Sequence, residues 1–200
     1  MYNHKNGICF EKVTTDDLGF LLDLKKESWW GTHKFSLLNI EDQKAWFQSI
    51  PDTSLFLIGK FNNEKVGVAV YNNIDYISRS LDISGSVLKG FRGQISYLSF
   101  QAGVDFAFEM LNMNRLSAEV LETNIASLYI QKTIGFVVEG RKRRSVYKCG
   151  KYYDSIITGI LREDWEIHTR VKSYSGICNL NFDMQIAQKS IKRNENSNFI

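Results

Sequence analysis

A short glycine-containing turn, between a strand-like segment and a long helix-like segment, is the part of the sequence best suited to bind a ligand. It contains Arg92 and Gly93, directly before the helix-like segment. The N-terminus of a helix exposes backbone N–H groups and a partial positive charge, so it attracts phosphate groups. Arg92 adds a cation there, and Gly93 lets the backbone approach a ligand closely. Because GxxxxGK[ST] and GxGxxG are both absent, the predicted anion site is neither a P-loop nor a Rossmann fingerprint.

The elements that must position this turn follow from the spacing of apolar residues. Alternating and β-branched segments predict strands at 8–13, 54–61, 66–71, 81–88, 115–121, 136–139, 145–149 and 155–161. Helical spacing predicts helices that begin near Thr15, after Asn39, after Gly93 and near Ala126. The helix after Gly93 has the most continuous apolar face. The turn therefore joins a strand to the strongest helix of the chain.

Length, charge and cysteine content exclude several classes of protein. Two hundred residues with 44% hydrophobic content suit a globular domain, and no apolar run reaches the length of a membrane span. Of the 25 basic and 22 acidic residues, five and two lie after residue 166, so residues 1–166 carry no net charge. A neutral body leaves no electrostatic footprint for nucleic acid. Three cysteines without a CxxC pair, and no secretory signal, predict reduced thiols and a cytoplasmic location.

The character of the chain changes after residue 166. Residues 167–200 are rich in Asn, Ser and Lys and have no sustained apolar period. We therefore predict one domain at residues 1–166 and a C-terminal extension at residues 167–200 that is weakly ordered and becomes disordered at its end.

Several segments resemble the acetyl-CoA-binding core of the GNAT superfamily of N-acetyltransferases. They read LDISGSVL (81–88), FRGQ (91–94), DFAFE (105–109), RLSAEVLETNIAS (115–127) and IGFVVEGR (134–141). The closing segments GKYYD (150–154) and LREDW (161–165) are similar to the branch that contains ribosomal-protein N-terminal acetyltransferases. Asn124 and Ser127, followed at this distance by Gly135 and Phe136, form the most specific part of the resemblance.

The resemblance implies a GNAT fold of the α/β (α+β) class. Its central mixed, twisted sheet would have about seven strands and be flanked by about four helices. Two parallel neighbours, 81–88 and 115–121, would splay apart, so that the pantetheine arm of acetyl-CoA bonds to exposed backbone in the gap. The pyrophosphate would meet the helix after Gly93. The coenzyme contacts implied in this way are Val87, Leu88, Arg92, Gly93, Gln94, Ile95, Ser96, Asn124 and Ser127.

The implied activity is an acetyl-CoA-dependent N-acetyltransfer, in which a primary amine attacks the thioester directly and no metal takes part. Glu119 matches a position that serves as the general base in some members of the family. A surface carboxylate paired with an arginine is an equally simple interpretation of Glu119. Gln131 stands where many members have a tyrosine that protonates the departing thiolate. A thiolate with a pKa near 8.5 can leave without strong acid help.

The loop after the strand also departs from the family pattern. The usual Arg-Gly-x-Gly-x-Gly/Ala places small residues where this chain has Ile95 and Tyr97, or Gln94 and Ser96 if the alignment shifts by one residue. Backbone N–H donors do not depend on the side chain, so either alignment keeps the predicted phosphate site.

Acceptor specificity in this family lies in the N-terminal half and in the loops that face the splay. Trp29, Trp30, Tyr76 and Arg79 are the candidate substrate contacts, because aromatic rings stack on sugars or bases and an arginine binds phosphate. Segments 40–47 and 56–70 resemble amino-sugar N-acetyltransferases of bacterial surface-glycan biosynthesis. We therefore predict a small amine as the acceptor, in particular a nucleotide-linked amino sugar.

Two other functions remain open. The C-terminal resemblance favours acetylation of the N-terminal α-amino group of a ribosomal or other protein. The altered loop and Gln131 favour a non-catalytic acyl-CoA-binding protein with the same fold. We expect no nucleic-acid or membrane partner, and a homodimer is compatible with the sequence.

Overall fold

One mixed sheet of eight strands forms the centre of the computed structural model, which describes residues 1–31 and 39–175. The strands are β1 (Tyr2–Asn3), β2 (Ile8–Lys12), β3 (Leu55–Phe61), β4 (Glu64–Asp75), β5 (Ser80–Val87), β6 (Arg115–Leu121), β7 (Val137–Lys148) and β8 (Lys151–Leu161). Their order in the sheet is β1-β2-β3-β4-β5-β6-β8-β7. Every neighbouring pair is antiparallel except β5 and β6, which are parallel.

Five helices belong to the described part of the chain. They are α1 (Leu18–Ser28), α2 (Ile40–Gln48), α3 (Gln94–Glu109), α4 (Ile125–Ile134) and α5 (Arg162–Ser175). α2 begins at an asparagine cap, in which Asn39 Oδ1 accepts a hydrogen bond from the Asp42 N–H at 2.7 Å. α4 ends at Gly135, whose φ of +115° lies in the left-handed region that glycine favours. Within the described ranges, no helix is both long and apolar enough to cross a bilayer.

Each face of the sheet has its own hydrophobic core, because alternate strand residues point to opposite faces. Leu57 of β3 belongs to a cluster that includes Phe108 of α3 and Trp165 of α5. The next residue, Ile58, belongs to a second cluster with Leu21 of α1, against which α2 also packs. We call these two sides the α3 face and the α1 face.

The parallel strands β5 and β6 separate shortly after they begin. Three residue pairs join them, and the last of these is Asp82 with Ser117. β5 nevertheless stays paired with β4 as far as Val87, and β6 stays paired with β8 as far as Leu121. The gap is therefore a wedge between two strands that are each held on their outer side.

Glycines allow β5 to follow β4 away from β6. A Cβ on Gly67 would lie 2.2 Å from the carbonyl oxygen of Ser86, and a Cβ on Gly85 would lie 2.7 Å from that of Val68. Both distances are shorter than real Cβ contacts, so a larger residue at either position would push the two strands apart.

The predicted mixed sheet with one splayed parallel pair is confirmed, and three elements differ from the sequence analysis. β1 is an additional strand of two residues, β7 is one continuous strand where two were predicted, and α5 was not predicted. The described residues thus contain eight strands and five helices instead of about seven and four. α5 crosses the predicted domain boundary at residue 166. Residues 176–200 lie outside the described residues, so the C-terminal extension stays a prediction.

A buried polar cluster connects the N-terminal strands to the helices of the α3 face. Asp105 of α3 accepts hydrogen bonds from His4 Nε2 at 2.8 Å and from Trp165 Nε1 at 2.6 Å. Burial by itself lowers the pKa of His4, but the hydrogen bond with the Asp105 carboxylate raises that pKa above its ordinary value of 6.5. The folded state therefore favours protonated His4.

We predict that this cluster makes stability depend on pH. Because the pKa of His4 is raised in the folded state, its contribution is complete below about 6.5 and is lost as pH rises through the folded pKa. His4→Gln should lower the free energy of unfolding by about 1–3 kcal/mol at pH 6 and by less at pH 8. Urea denaturation at both pH values measures the difference, and an equal loss at both would contradict the prediction.

Candidate active site

A cleft of about 1860 Å³ passes through the wedge between β5 and β6. Its walls include the consecutive residues Ile83–Val87 of β5 and Ala118–Val120 of β6. Consecutive strand residues point to opposite faces, so a cavity lined by all of them follows the backbone edges of the strands. The cleft also reaches Trp46 on the α1 face and Phe100 on the α3 face. It is therefore open to both sides of the sheet.

The N-terminus of α3 lies at this cleft. Gly93 precedes the helix with a φ of +90°, and a Cβ on it would meet nothing within 4 Å. The N–H groups of the first helical turn have no acceptor within the helix, and the helix dipole adds partial positive charge. Gln94 and Ser96 of this turn line the cleft. Open space, unused N–H donors and positive potential suit a phosphate group.

Arg92 is held beside this helix end by α1. Its Nη2 donates to the carbonyl oxygen of Glu27 at 3.1 Å, and its guanidinium lies 5.4 Å from the ring centroid of Trp30. The Glu27 carboxylate accepts a hydrogen bond from the Lys89 N–H at 2.7 Å. These described partners of Arg92 are a carbonyl and an aromatic ring, so neither neutralises its charge.

The turn Trp29–Gly31, which follows α1, is fixed to the hairpin between β7 and β8. Lys148 Nζ donates to the carbonyl oxygens of Trp29 and Trp30, at 2.6 and 3.0 Å. Burial lowers the pKa of Lys148. A second cavity of about 260 Å³ shares Trp29, Trp30 and Lys148 with the main cleft. The two tryptophans therefore form a common wall of both cavities.

Asn124 and Ser127 line the cleft at the start of α4. Asn124 is the cap of this helix, because its Oδ1 accepts a hydrogen bond from the Ser127 N–H at 3.2 Å. A Cβ on Gly31 would lie 3.1 Å from Asn124 Nδ2. The Trp29–Gly31 turn thus approaches the cap from the side of α1.

Glu119 of β6 lines the cleft and points to the α1 face. Its neighbour Ala118 belongs to the core of the α3 face, so alternation directs Glu119 to the other side. Its Oε2 lies 2.6 Å from Lys142 Nζ. Glu119 therefore forms an ion pair with a lysine, where one interpretation of the sequence expected an arginine, and it also lies at the wall of the cleft.

The position expected for an acidic tyrosine holds a buried amide. Gln131 Oε1 accepts a hydrogen bond from Thr158 Oγ1 at 2.7 Å, and Gln131 lines the cleft. Tyr129, two residues earlier in α4, also lines it. β8 thus holds Gln131 in place through Thr158.

Most of the predicted site residues meet at the cleft. Those that line it are Trp29, Trp30, Val87, Arg92, Gly93, Gln94, Ser96, Glu119, Asn124 and Ser127. Leu88 and Ile95 are neighbours in sequence but are not among the lining residues.

Tyr76 and Arg79 do not reach the cleft, in contrast to the sequence analysis. Both lie in the turn before β5, at the end where β5 is still paired with β6. Arg79 Nε and Nη2 instead donate to Asn112 at 2.8 Å each. The physical reason is the direction of β5, since the wedge opens at its C-terminal end and this turn precedes its N-terminal end.

The sequence analysis missed several polar residues of the cleft. Among them are Lys25 of α1, Ser99 of α3 and Lys148 of β7. The hydroxyl oxygen of Ser99 is buried and has no hydrogen-bond partner in the described part of the chain. Lys25 lies four residues before Trp29, and this helical spacing was the available signal for it. Ser99 and Lys148 carried no such signal, because their place depends on packing between distant segments.

Metal ligands do not gather at this site. Among residues 1–31 and 39–168, whose side chains are described, no three His, Cys, Asp or Glu side chains group as ligands of a metal ion would. The expectation that the reaction uses no metal stays a prediction.

Comparison with known families identifies this arrangement. The family described as "Acetyltransferase (GNAT) domain" matches residues 32–157, more than half of the chain. The chain belongs to the GNAT acetyltransferase family. The wedge and the N-terminus of α3 lie within the matched residues, whereas Lys25, Trp29 and Trp30 of the cleft precede them.

Two similar GNAT proteins come from Bacillus subtilis (strain 168). The putative ribosomal N-acetyltransferase YdaF is 27% identical over 107 residues, which cover 53% of this chain and 58% of YdaF. The SPbeta prophage-derived uncharacterized N-acetyltransferase YokL is 32% identical over 63 residues, which cover 32% of this chain and 36% of YokL. The chain thus spans less than two thirds of each of these relatives.

Solved structures of GNAT proteins share the fold over most of the chain. Spermidine N-acetyltransferase from Vibrio cholerae, in complex with CoA and spermine, has a TM-score of 0.74 at 16% identity and covers 81% of this chain and 99% of its own. The spermidine/spermine N-acetyltransferase SpeG from Vibrio cholerae, in complex with manganese ions, has a TM-score of 0.69 at 19% identity. It covers 80% of this chain and 96% of its own. At this level of identity the likeness concerns the fold alone.

We predict that Asn124 stabilises this GNAT domain as a helix cap. Asn124→Ala removes the acceptor of the Ser127 N–H and should lower the free energy of unfolding by about 1 kcal/mol. Asn124→Asp keeps an oxygen acceptor at the helix N-terminus and should cost less. Urea denaturation measures both variants, and equal losses would show that the cap hydrogen bond is not what Asn124 contributes.

Proposed function

We propose that this chain is an acetyl-CoA-dependent N-acetyltransferase that acts on a primary amine. The observation that carries the proposal is the wedge, where β5 and β6 leave their three residue pairs and turn their backbone edges towards the cleft. An exposed strand edge offers N–H and C=O groups to the amide groups of an extended ligand, as an added strand would. Acetyl-CoA supplies the acyl group as an activated thioester.

The residues around the cleft suit the parts of this coenzyme. Val87 lies where the edge of β5 ends, and the N–H groups at the start of α3 follow shortly after it. Arg92 and the open side of Gly93 favour the pyrophosphate group. Asn124 and Ser127, at the start of α4, line the same cleft and are the proposed contacts of the pantetheine arm.

Glu119 is the proposed general base. An aliphatic amine is mostly protonated at neutral pH and must lose a proton before it attacks a thioester. Glu119 points to the α1 face, and it is the one carboxylate among the described residues that line the cleft. Lys142 holds the carboxylate in place at 2.6 Å. Gln131 has no acidic proton to give, so the thiolate leaves without an acid from this position.

A nucleotide-linked amino sugar is the proposed acceptor, as in bacterial surface-glycan biosynthesis. The faces of Trp29 and Trp30 suit stacking on a sugar or a base. Lys148, which holds both residues, adds a cation at the same wall. We propose the cytoplasm as the location, which the free thiols of Cys9 and Cys149 support.

Acetylation of a protein N-terminus is the second candidate. The name of YdaF, a putative ribosomal N-acetyltransferase, favours it, and the match to YdaF covers 53% of this chain. The third candidate is a protein that binds acyl-CoA without turnover. Gln131 favours it, because this residue replaces the tyrosine that usually acts as the acid. A measurement of binding and thiol release separates the three candidate functions.

We predict that the chain binds acetyl-CoA and releases free thiol from it when a suitable amine is present. Calorimetry measures binding, and a thiol-release assay over amino sugars, nucleotide-linked amino sugars and peptides measures transfer. Release with a peptide alone would favour the second candidate, and binding without release from any amine would favour the third. Absence of acetyl-CoA binding would overturn the proposal.

Two glycines of one loop provide matched variants for the binding measurement. A Cβ on Gly90 or Gly93 would meet nothing within 4 Å, but only Gly93 has a positive φ. Gly93→Ala should therefore strain the turn at the start of α3 and weaken acetyl-CoA binding by about tenfold. Gly90→Ala should leave the affinity unchanged, and equal effects would remove the turn from the proposed coenzyme site.

We predict that Glu119→Gln lowers kcat/KM most strongly at low pH, where the acceptor is hardest to deprotonate. The expected loss is about 100-fold, as for other general bases. Lys142→Met removes the ion-pair partner and keeps the carboxylate, so it should retain most of the activity. Similar losses in both variants, with the same pH profile as the parent, would mean that Glu119 acts only through its ion pair.

A further inference from the structure

Lys25 is a cation at the wall of the cleft, and none of the described carboxylates forms an ion pair with it. It lies on α1, one turn before Trp29, and both residues line the cleft. The Lys25 side chain is partly buried, and burial lowers its pKa. Burying an ammonium group costs free energy unless a negatively charged group pairs with it.

The described partners of Lys25 are both neutral. Its Nζ donates to Gln43 Oε1 at 2.7 Å and lies 4.3 Å from the ring centroid of Trp46. The adjacent Lys26 is exposed and lies 3.2 Å from the Asp23 carboxylate. Lys60 and Lys65 also form ion pairs, with Glu11 and Asp17. Lys25 therefore differs from these lysines in its lack of a carboxylate among the described residues.

The amide that contacts Lys25 has an unused donor as well. Gln43 is 3% exposed, and its Nε2 is buried without a hydrogen-bond partner among the described residues. Lys25 has donor capacity beyond its one hydrogen bond to Gln43. Lys25, which lines the cleft, therefore has donors left for an oxyanion, whereas Gln43 is not among the lining residues.

The charged residues among the described cleft lining have a positive sum, which also favours an anionic ligand. The described lining residues of the cleft include three cations, Lys25, Arg92 and Lys148, and one carboxylate, Glu119. A polyamine acceptor would bring several positive charges to this wall and would find one carboxylate. An acceptor with a negative group would instead be attracted to it.

We propose that the acceptor of this enzyme is an amine that also carries an anionic group, a carboxylate or a phosphate, and that Lys25 binds this group. The inference rests on the proposed acetyltransfer and narrows its substrate class. Arg92 lies at the start of α3 and serves the pyrophosphate of the coenzyme, whereas Lys25 lies on α1. Glu119 on β6 and Lys25 on α1 line the same cleft, and in the proposed complex the acceptor presents its amine to Glu119 and its anion to Lys25.

Matched acceptors test this proposal directly. The panel contains glucosamine 6-phosphate with glucosamine, and a free amino acid with its amide, so that each pair differs in one anionic group. The parent protein should acetylate the anionic member with a kcat/KM at least about tenfold higher, and the pair with the larger ratio distinguishes phosphate from carboxylate. Equal rates for both members of both pairs, or faster acetylation of the neutral members, would overturn the proposal.

Variants of the two adjacent lysines localise the effect. Lys25→Met keeps a chain that packs on Trp46 and should raise KM for the anionic acceptor by about 10- to 100-fold, with little change for the neutral one. Lys25→Arg should retain the preference, and Lys26→Met should behave as the parent. A loss of acetyl-CoA affinity in Lys25→Met, measured by calorimetry, would assign Lys25 to the coenzyme and overturn the proposal.

A binding measurement separates this inference from the proposed activity. Titration of the same four amines in the presence of CoA, followed by tryptophan fluorescence, does not need turnover. Anionic amines that bind to the parent and not to Lys25→Met would support the anion site at Lys25. If no thiol were released in that case, only the proposed acetyltransferase activity would be overturned. No difference between the parent and Lys25→Met would overturn the site, whatever the activity.

Discussion

The divergence of β5 from β6 is the constraint on which the rest of this structure depends. A parallel pair in the middle of a sheet normally continues its ladder, because unpaired backbone groups cost free energy. Here the outer ladders continue instead. β5 stays paired with β4 as far as Val87, and β6 stays paired with β8 as far as Leu121. Gly67 and Gly85 make the close contact between β4 and β5 possible. The wedge therefore follows from the pairing of β5 and β6 with their outer neighbours.

The helices around the wedge give its two sides different chemistry. α3 brings its N-terminus to the cleft, which favours anions through N–H groups that no side chain needs to supply. α1 contributes the Trp29–Gly31 turn, which Lys148 fixes to the hairpin of β7 and β8. Arg92 connects these two sides, because it contacts Glu27 and Trp30 while it stands at the start of α3. A change on α1 is therefore expected to reach the proposed pyrophosphate site at the start of α3 through this arginine.

The features predicted from the sequence are those that depend on residues close together in the chain. The turn at Gly93, the helix that begins near Ala126 and strand β6 all carry local signals, and all line or bound the cleft. The prediction that Tyr76 and Arg79 contact the substrate did not take the direction of β5 into account. The eight residues of β5 separate the turn that contains Tyr76 and Arg79 from the open end of the wedge by roughly 25 Å, at about 3.3 Å per residue. β1 is too short for any periodic signal, and the charges of Arg141–Arg144 concealed the continuity of β7.

Lys25 shows why helical spacing alone could not complete the site. In the sequence it stands beside Lys26 in an amphipathic helix, and the two appear alike. Their difference arises only when α2 packs on α1 and brings Gln43 and Trp46 over one of them. The same packing fixes Lys25 on helix α1, while strand β6 carries the Glu119 carboxylate of the same cleft. Groups that are fixed on two such elements can position an acceptor at both ends without a loop having to move, which is what an attack on a bound thioester requires.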